Sequence, residues 1–134
     1  MMMMISSLEC LASLAGSSRC QASRVALCVG YVYWSDIGRH TISRSRCVAG
    51  LRCGSEEDLV TDLLDTVDGL AVDELTQVIY WTDTGRRLVE AMKLPAGPRT
   101  VLVWEELDSP RAIALHYDSG YNNVRLLVRC DAKR

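Results

Sequence analysis

Two aromatic cores, Tyr33-Trp34-Ser35-Asp36 and Tyr80-Trp81-Thr82-Asp83, stand about 47 residues apart, the scale of one four-stranded repeat unit. Four runs of strand length surround the second copy. Gly69-Leu70-Ala71-Val72-Asp73 precedes it, Ile79 to Asp83 contains it, and Leu88 to Leu94 and Arg99 to Trp104 follow it. Each run is rich in Val, Ile, Leu, Tyr or Trp and is closed by Gly, Asp or Pro, the pattern of an all-β meander. Then the pattern restarts. Leu107-Asp108-Ser109-Pro110-Arg111-Ala112-Ile113-Ala114-Leu115 takes the place that Leu64 to Val72 held about 43 residues earlier. A small antiparallel sheet of this kind cannot bury both faces alone, and it gains cover by stacking on neighbours around a ring.

Strand geometry assigns the faces. Successive side chains alternate, so Tyr80 and Thr82 share one face while Trp81 and Asp83 share the other. Aromatics in a middle strand fill the space between stacked sheets, each burying on the order of 150–250 Å². Asp83, ahead of Thr84-Gly85, is placed to accept backbone N–H groups in the turn. In the upstream copy Tyr31, Tyr33 and Ser35 alternate with Val32, Trp34 and Asp36. Ile37-Gly38-Arg39 supplies a turn, Thr41 to Arg46 a second strand, and Leu59 to Thr61 an outer strand. Ser55-Glu56-Glu57-Asp58 reads as a solvated loop end, since nothing beside it offers the oxygen shell that calcium requires.

These linked motifs resemble the YWTD repeat, also called the LDL-receptor class B repeat, over roughly residues 29–121. Val101-Leu102-Val103-Trp104-Glu105-Glu106-Leu107-Asp108-Ser109-Pro110-Arg111, and Tyr31 to Asp36 with Thr41-Ile42-Ser43-Arg44, are similar to one subgroup. It comprises the LDL-receptor-related proteins that act as Wnt co-receptors, together with the agrin receptor. The resemblance implies a β-propeller, which in this family closes with about six blades. Its structural motif falls on Tyr33, Trp34, Asp36, Gly69, Asp73, Tyr80, Trp81, Thr82, Asp83, Gly85, Pro110 and Arg111. Relatives of this kind bind protein ligands such as Wnt factors, their antagonists or agrin, and take part in signalling or endocytosis.

The chain also departs from the family pattern. Glu74 stands where Trp is usual, Val67 where Pro is usual, and Pro95-Ala96 replaces an Asp-Gly turn. After Gly120-Tyr121 the third aromatic core gives way to Asn122-Asn123-Val124-Arg125, and ahead of Tyr31 the first strand is short or missing. The expectation is an all-β, incomplete propeller of about two antiparallel four-stranded blades. Residues 1–28 form an irregular N-terminal segment, 29–63 a partial blade, 64–106 a complete blade, and 107–134 the start of a third blade with a divergent tail. That tail, residues 123–134, is a short apolar run able to pair as a strand, but it does not follow the repeat.

A length of 134 residues suits one domain, and a net charge of -2 gives no argument for nucleic acid or a membrane surface. No apolar run of about 18 residues encodes a transmembrane helix. Small residues near Ala15 suit a signal-peptidase site. Against that, Glu9 interrupts the apolar stretch and no Lys or Arg precedes it, so a disordered or helical tail is the preferred reading. The cysteines are Cys10, Cys20, Cys28, Cys47, Cys53 and Cys130, without a C-x-x-C pair and without a zinc pattern at His40 or His116. Cys47 and Cys53 flank a Gly-containing loop whose ends could meet in a disulfide if the chain is secreted. Free thiols are the preferred reading for most of the six.

No nucleophile elbow, metalloprotease motif or phosphate loop occurs, so no catalytic, cofactor or metal residue is assigned. Arg86 and Arg87 form either a solvated hairpin end or part of a partner-binding face. Trp104 is either a blade-packing residue or an anchor for a partner. Three functions are open. The chain is an extracellular protein-binding module of a receptor ectodomain, a propeller fragment that self-associates through open blade edges, or, least supported, an enzyme on a propeller scaffold.

Overall fold

The short apolar runs become strands, and within each sheet every strand folds back antiparallel on the one before it. The computed structural model describes residues 25–28, 30–47, 53–105, 107–117 and 124–131. The first sheet holds β1 (Val25–Cys28), β2 (Tyr31–Asp36), β3 (Thr41–Cys47) and β4 (Cys53–Val60), paired in that order. A second sheet holds β5 (Val67–Asp73), β6 (Val78–Asp83), β7 (Leu88–Lys93) and β8 (Arg99–Val103), again in order. The third is a hairpin of β9 (Pro110–Tyr117) and β10 (Val124–Cys130). Among the described residues there is no helix, and hence none that could cross a membrane.

Two cores lie between these three sheets. Tyr33, Ile42 and Val60 of the first sheet pack with Leu70, Val72, Ile79, Trp81 and Met92 of the second. The opposite face of the second sheet gives Ala71 and Val89 to a core with Ile113, Leu115 and Val128, against which Tyr80 and Leu126 pack. Every residue of β5 is therefore buried, whichever way its side chain points. Alternation accounts for this split: Leu70 pairs with Trp81 and Val72 with Ile79 on one face, and Ala71 with Tyr80 on the other. Trp81 is fully buried, whereas its repeat equivalent Trp34 is half-buried. The first sheet supplies cover for Trp81, and no described sheet stands on the corresponding side of Trp34.

Two expectations are met in part and one needs correction. The first sheet has the expected four strands, its first one short, but that strand, Val25–Cys28, lies inside the stretch read as irregular and pairs with Tyr31 to Trp34. The tail pairs as a strand, β10 with β9 from Val124 to Cys130, so the third unit opens with a hairpin and not one strand. The acidic run is no loop end, for it lies within β4, where Glu57 pairs with Arg44 and Asp58 with Ser43. Ionic and hydroxyl partners across the sheet offset its poor intrinsic strand preference. Arg44 Nε donates to Glu57 at 2.7 Å, Arg39 holds both Glu56 and Asp58, and Ser43 Oγ donates to Asp58 at 2.7 Å.

The Ser43 hydroxyl, with Arg39 beside it, holds the Asp58 carboxyl below the ordinary carboxylate range. A depressed folded value means the stabilisation is present above the unfolded pKa and is lost as pH falls through the folded one. Carboxyl-carbon NMR should find Asp58 titrating below an unperturbed aspartate, and Ser43→Ala should move it up.

Cys47 and Cys53 face each other at the end of the β3–β4 pair and are joined by a disulfide. The free-thiol reading fails for this pair because the hairpin brings their Cα atoms within 4.0 Å. Cys130 is a half-buried free thiol whose pKa is pushed up by that burial. Cys28 lies in β1, and Cys10 and Cys20 fall outside the described residues. The two bridged cysteines are only 6 positions apart. Replacing both by Ser should therefore cost about 2 kcal/mol in urea unfolding, the modest effect of closing a short loop.

Candidate functional site

The β2–β3, β5–β6 and β6–β7 hairpins each open on an aspartate. Asp36 Oδ1 accepts the Arg39 N–H at 3.0 Å, and Asp73 accepts the Leu75 N–H at 3.0 Å and the Thr76 hydroxyl at 2.6 Å. Asp83 accepts the Arg86 N–H at 3.1 Å and reaches further, to the backbone N–H groups of Asp65 (2.9 Å) and Thr66 (3.0 Å). It thus fastens the entry of β5 to the β6–β7 turn, and its complete burial is tolerated because three donors face it. His40, Gln77 and Arg87, the last residues of the three turns, have φ of 52°, 55° and 56°. An added Cβ at Gly85 would stand 2.1 Å from Asp65 Oδ2, so the Asp65 side chain would have to swing aside.

The joint between the second sheet and β9 is polar at its core. Thr82 Oγ1 accepts the Gly69 N–H at 2.9 Å and donates to Arg111 O at 2.9 Å. Thr84 Oγ1 lies 2.6 Å from both Asp68 Oδ2 and Pro110 O. Arg111 crosses the joint in the opposite sense, donating from Nη1 to Asp68 Oδ2 at 2.8 Å and from Nε to Asp131 at 2.9 Å. Pro110 is fully buried at this contact. Ser35, equivalent to Thr82, makes the corresponding link one unit earlier by donating to Val67 O at 2.9 Å. Tyr80 packs nearby, and its phenol is pushed up first by burial and then by the Asp73 carboxylate.

The other joint carries an ion network. Glu90, in β7, is buried and lies 2.9 Å from Arg99 Nη2 and 3.4 Å from Arg86 Nη1. Arg99 also reaches Asp62, and its guanidinium lies 5.4 Å from the centre of the Trp81 ring. Arg86 is therefore anchored, to Glu90 and to Leu63 O, while Arg87 stands exposed. Trp104 is 64% exposed. Asp83 pairs with Leu88 and Val89 with Val103, so Arg86, Arg87 and Trp104 sit at the same end of the second sheet.

Asp68, Thr84, Glu90 and Arg99 carry much of this geometry, and the sequence reading passed them by. A signal existed only for Glu90, a charge set among the apolar residues Leu88, Val89, Ala91 and Met92. The histidines do not converge. His40 Nδ1 lies 3.0 Å from Asp65 O in a turn, and His116 is exposed near the end of β9.

Two stacked four-stranded sheets and the opening hairpin of a third, locked by hydroxyl and aspartate contacts between units, define part of an antiparallel β-propeller. The chain carries a low-density lipoprotein receptor repeat class B, the YWTD repeat, whose family model matches residues 77–117. It is 36% identical over 92 residues to low-density lipoprotein receptor-related protein 5 of Mus musculus, covering 69% of this chain and 6% of that protein. It is 35% identical over 91 residues to the low-density lipoprotein receptor-related protein 5-like protein of Homo sapiens, covering 68% and 34%. Nidogen-2 of Mus musculus is 40% identical over 72 residues, 53% of this chain and 5% of that one. Among solved structures, a nidogen/laminin complex superposes with a TM-score of 0.59 at 31% identity, covering 65% of this chain and 32% of that one. The chain thus spans about a third or less of the length of these relatives.

Proposed function

We propose that the chain is part of the protein-binding propeller of an extracellular or cell-surface LDL-receptor-related protein. Its ligands on this reading are Wnt-type factors, their antagonists or agrin, bound in company with further blades. The observation that carries the reading is the match at 36% identity to receptor-related protein 5, which runs over 69% of this chain. The disulfide between Cys47 and Cys53 agrees with an oxidising compartment. Arg87 and Trp104, exposed at one end of the second sheet, are the proposed contacts. The test grafts residues 25–131 in place of the matching blades of the mouse relative's ectodomain and measures binding of a Wnt antagonist and of agrin by biolayer interferometry. Binding that weakens at least tenfold in the Arg87→Glu, Trp104→Ala double variant supports the reading, by about 1.4 kcal/mol. A folded chimera that binds none of these ligands removes it.

The half-buried Trp34 favours a second reading, a fragment without a ligand of its own whose first sheet keeps an open stacking face. A sharply melting monomer of the isolated chain would argue against that alternative.

A further inference from the structure

Among the described residues, His40, Leu63, Gln77, Arg87 and Ser109 have positive φ without being glycine. His40, Gln77 and Arg87 close tight turns, and Ser109 is small and polar. Leu63, in the connection from β4 to β5, is the one large apolar side chain of the group, with φ of 52°. A left-handed backbone crowds Cβ against a carbonyl oxygen, and leucine has no side-chain hydrogen bond to offset that strain. Packing does not offset it either. Leu63 is 68% exposed, whereas its neighbour Leu64 packs against the core between the first two sheets. An exposed leucine alone is ordinary. Leu75 is 64% exposed on the β5–β6 turn, and its φ is not positive. Leu63 combines exposure with strain.

Side chains of the second sheet hold that strain in place. Arg86 Nη1 donates to Leu63 O, and Arg99 donates to the same oxygen from Nη2 at 3.2 Å. Arg99 Nη1 also donates to Asp62 O at 2.8 Å. Both guanidiniums are gathered by buried Glu90. The backbone at 62–63 is thus clamped by two arginines on a rigid sheet, and the Leu63 side chain is left in solvent. Strain that the surroundings over-determine, on a loop carried by a rigid scaffold, is characteristic of binding segments. One residue along from Arg86, Arg87 is exposed and has no ion partner among the described residues.

We infer that Leu63 is an anchor for a protein partner that presents an apolar pocket with a carboxylate at its rim. The pocket takes the leucine side chain, and the carboxylate pairs with Arg87. This rests on the reading of the chain as part of a protein-binding propeller, and it adds Leu63 to the contacts at Arg87 and Trp104.

Leu63→Gly separates a binding role from a folding one. Glycine takes a positive φ freely, so the melting temperature of the full chain, read by circular dichroism, does not fall. In the chimera described above, Leu63→Gly and Leu63→Asn each weaken binding of the Wnt antagonist or agrin about tenfold or more. Asparagine tolerates the same backbone but is polar. Leu63→Met, apolar and of similar volume, keeps binding within about threefold. A Leu63→Gly chimera that binds like the wild type overturns the inference and leaves the propeller reading standing. So does a Leu63→Met chimera that binds no better than Leu63→Gly. A full chain whose melting temperature drops in Leu63→Gly assigns the side chain to the fold and overturns the inference as well. A folded wild-type chimera that binds none of the ligands removes both.

Discussion

Trp81→Ala is expected to cost about 3–5 kcal/mol of stability, the range for emptying a large aromatic site in a packed core. The same change at Trp34, the equivalent position one repeat earlier, is expected to cost less than about 2 kcal/mol. Chemistry and strand position are the same in both, and only the cover differs. Trp81 is fully buried between the first two sheets, packed with Leu70 and Ile79, and Arg99 lies over its ring. Its indole N–H has no protein acceptor among the described residues, so packing and not hydrogen bonding supplies its contribution. Trp34 keeps part of its surface in water in both states, which shrinks the transfer free energy it can give. Urea unfolding followed by circular dichroism reads the difference, provided the slope with denaturant is unchanged between variants. Equal costs at the two positions would mean that the cover over Trp81 contributes little.

Gly69→Val should be comparably severe, at about 3 kcal/mol, but its damage is local to one joint. A Cβ at this position would lie 2.6 Å from Arg111 O, 2.9 Å from Ile113 N and 2.9 Å from Thr82 Oγ1. Two of these atoms are backbone of β9, so no rotamer change relieves the clash. The sheets must separate, and the Gly69–Thr82–Arg111 hydrogen-bond relay breaks with them. Amide hydrogen exchange distinguishes this from general destabilisation. Protection should fall first in β9 and β10, while amides of β2 and β3, in the sheet at the other joint, keep theirs. Uniform loss across all three sheets would show that the joints do not open separately.

Much of the fold is local information and could be read from the sequence. The Asp-led turns, the aromatic β6 and the alternation along β5 and β6 are each set by neighbouring residues and the pleat. β4 was hidden for a physical reason. Ser55-Glu56-Glu57-Asp58 has the composition of a loop, and what makes it a strand is Arg44, Ser43 and Arg39, which lie across the sheet. The same holds for β1 and β10, short runs that departed from the repeat and were recruited by pairing with β2 and β9. At the joints, Gly69 and Thr82 belonged to the recognisable motif, whereas Asp68, Thr84, Glu90 and Arg99 did not. Their partners are far along the chain, Arg111 to Asp68 and Arg99 to Asp62 among them. No periodicity encodes such a meeting.

The two-sided burial of the second sheet makes it a tenant of both its neighbours. Removing either flanking sheet strips one of its faces and weakens it, while the other joint still holds it. Wear should then proceed from the ends inward, with β1 and β10 the first to fray and β6 the last to let go. A repeat built this way keeps time along the chain: the moment at which each strand first exchanges its amides records how many intact walls still stand beside it.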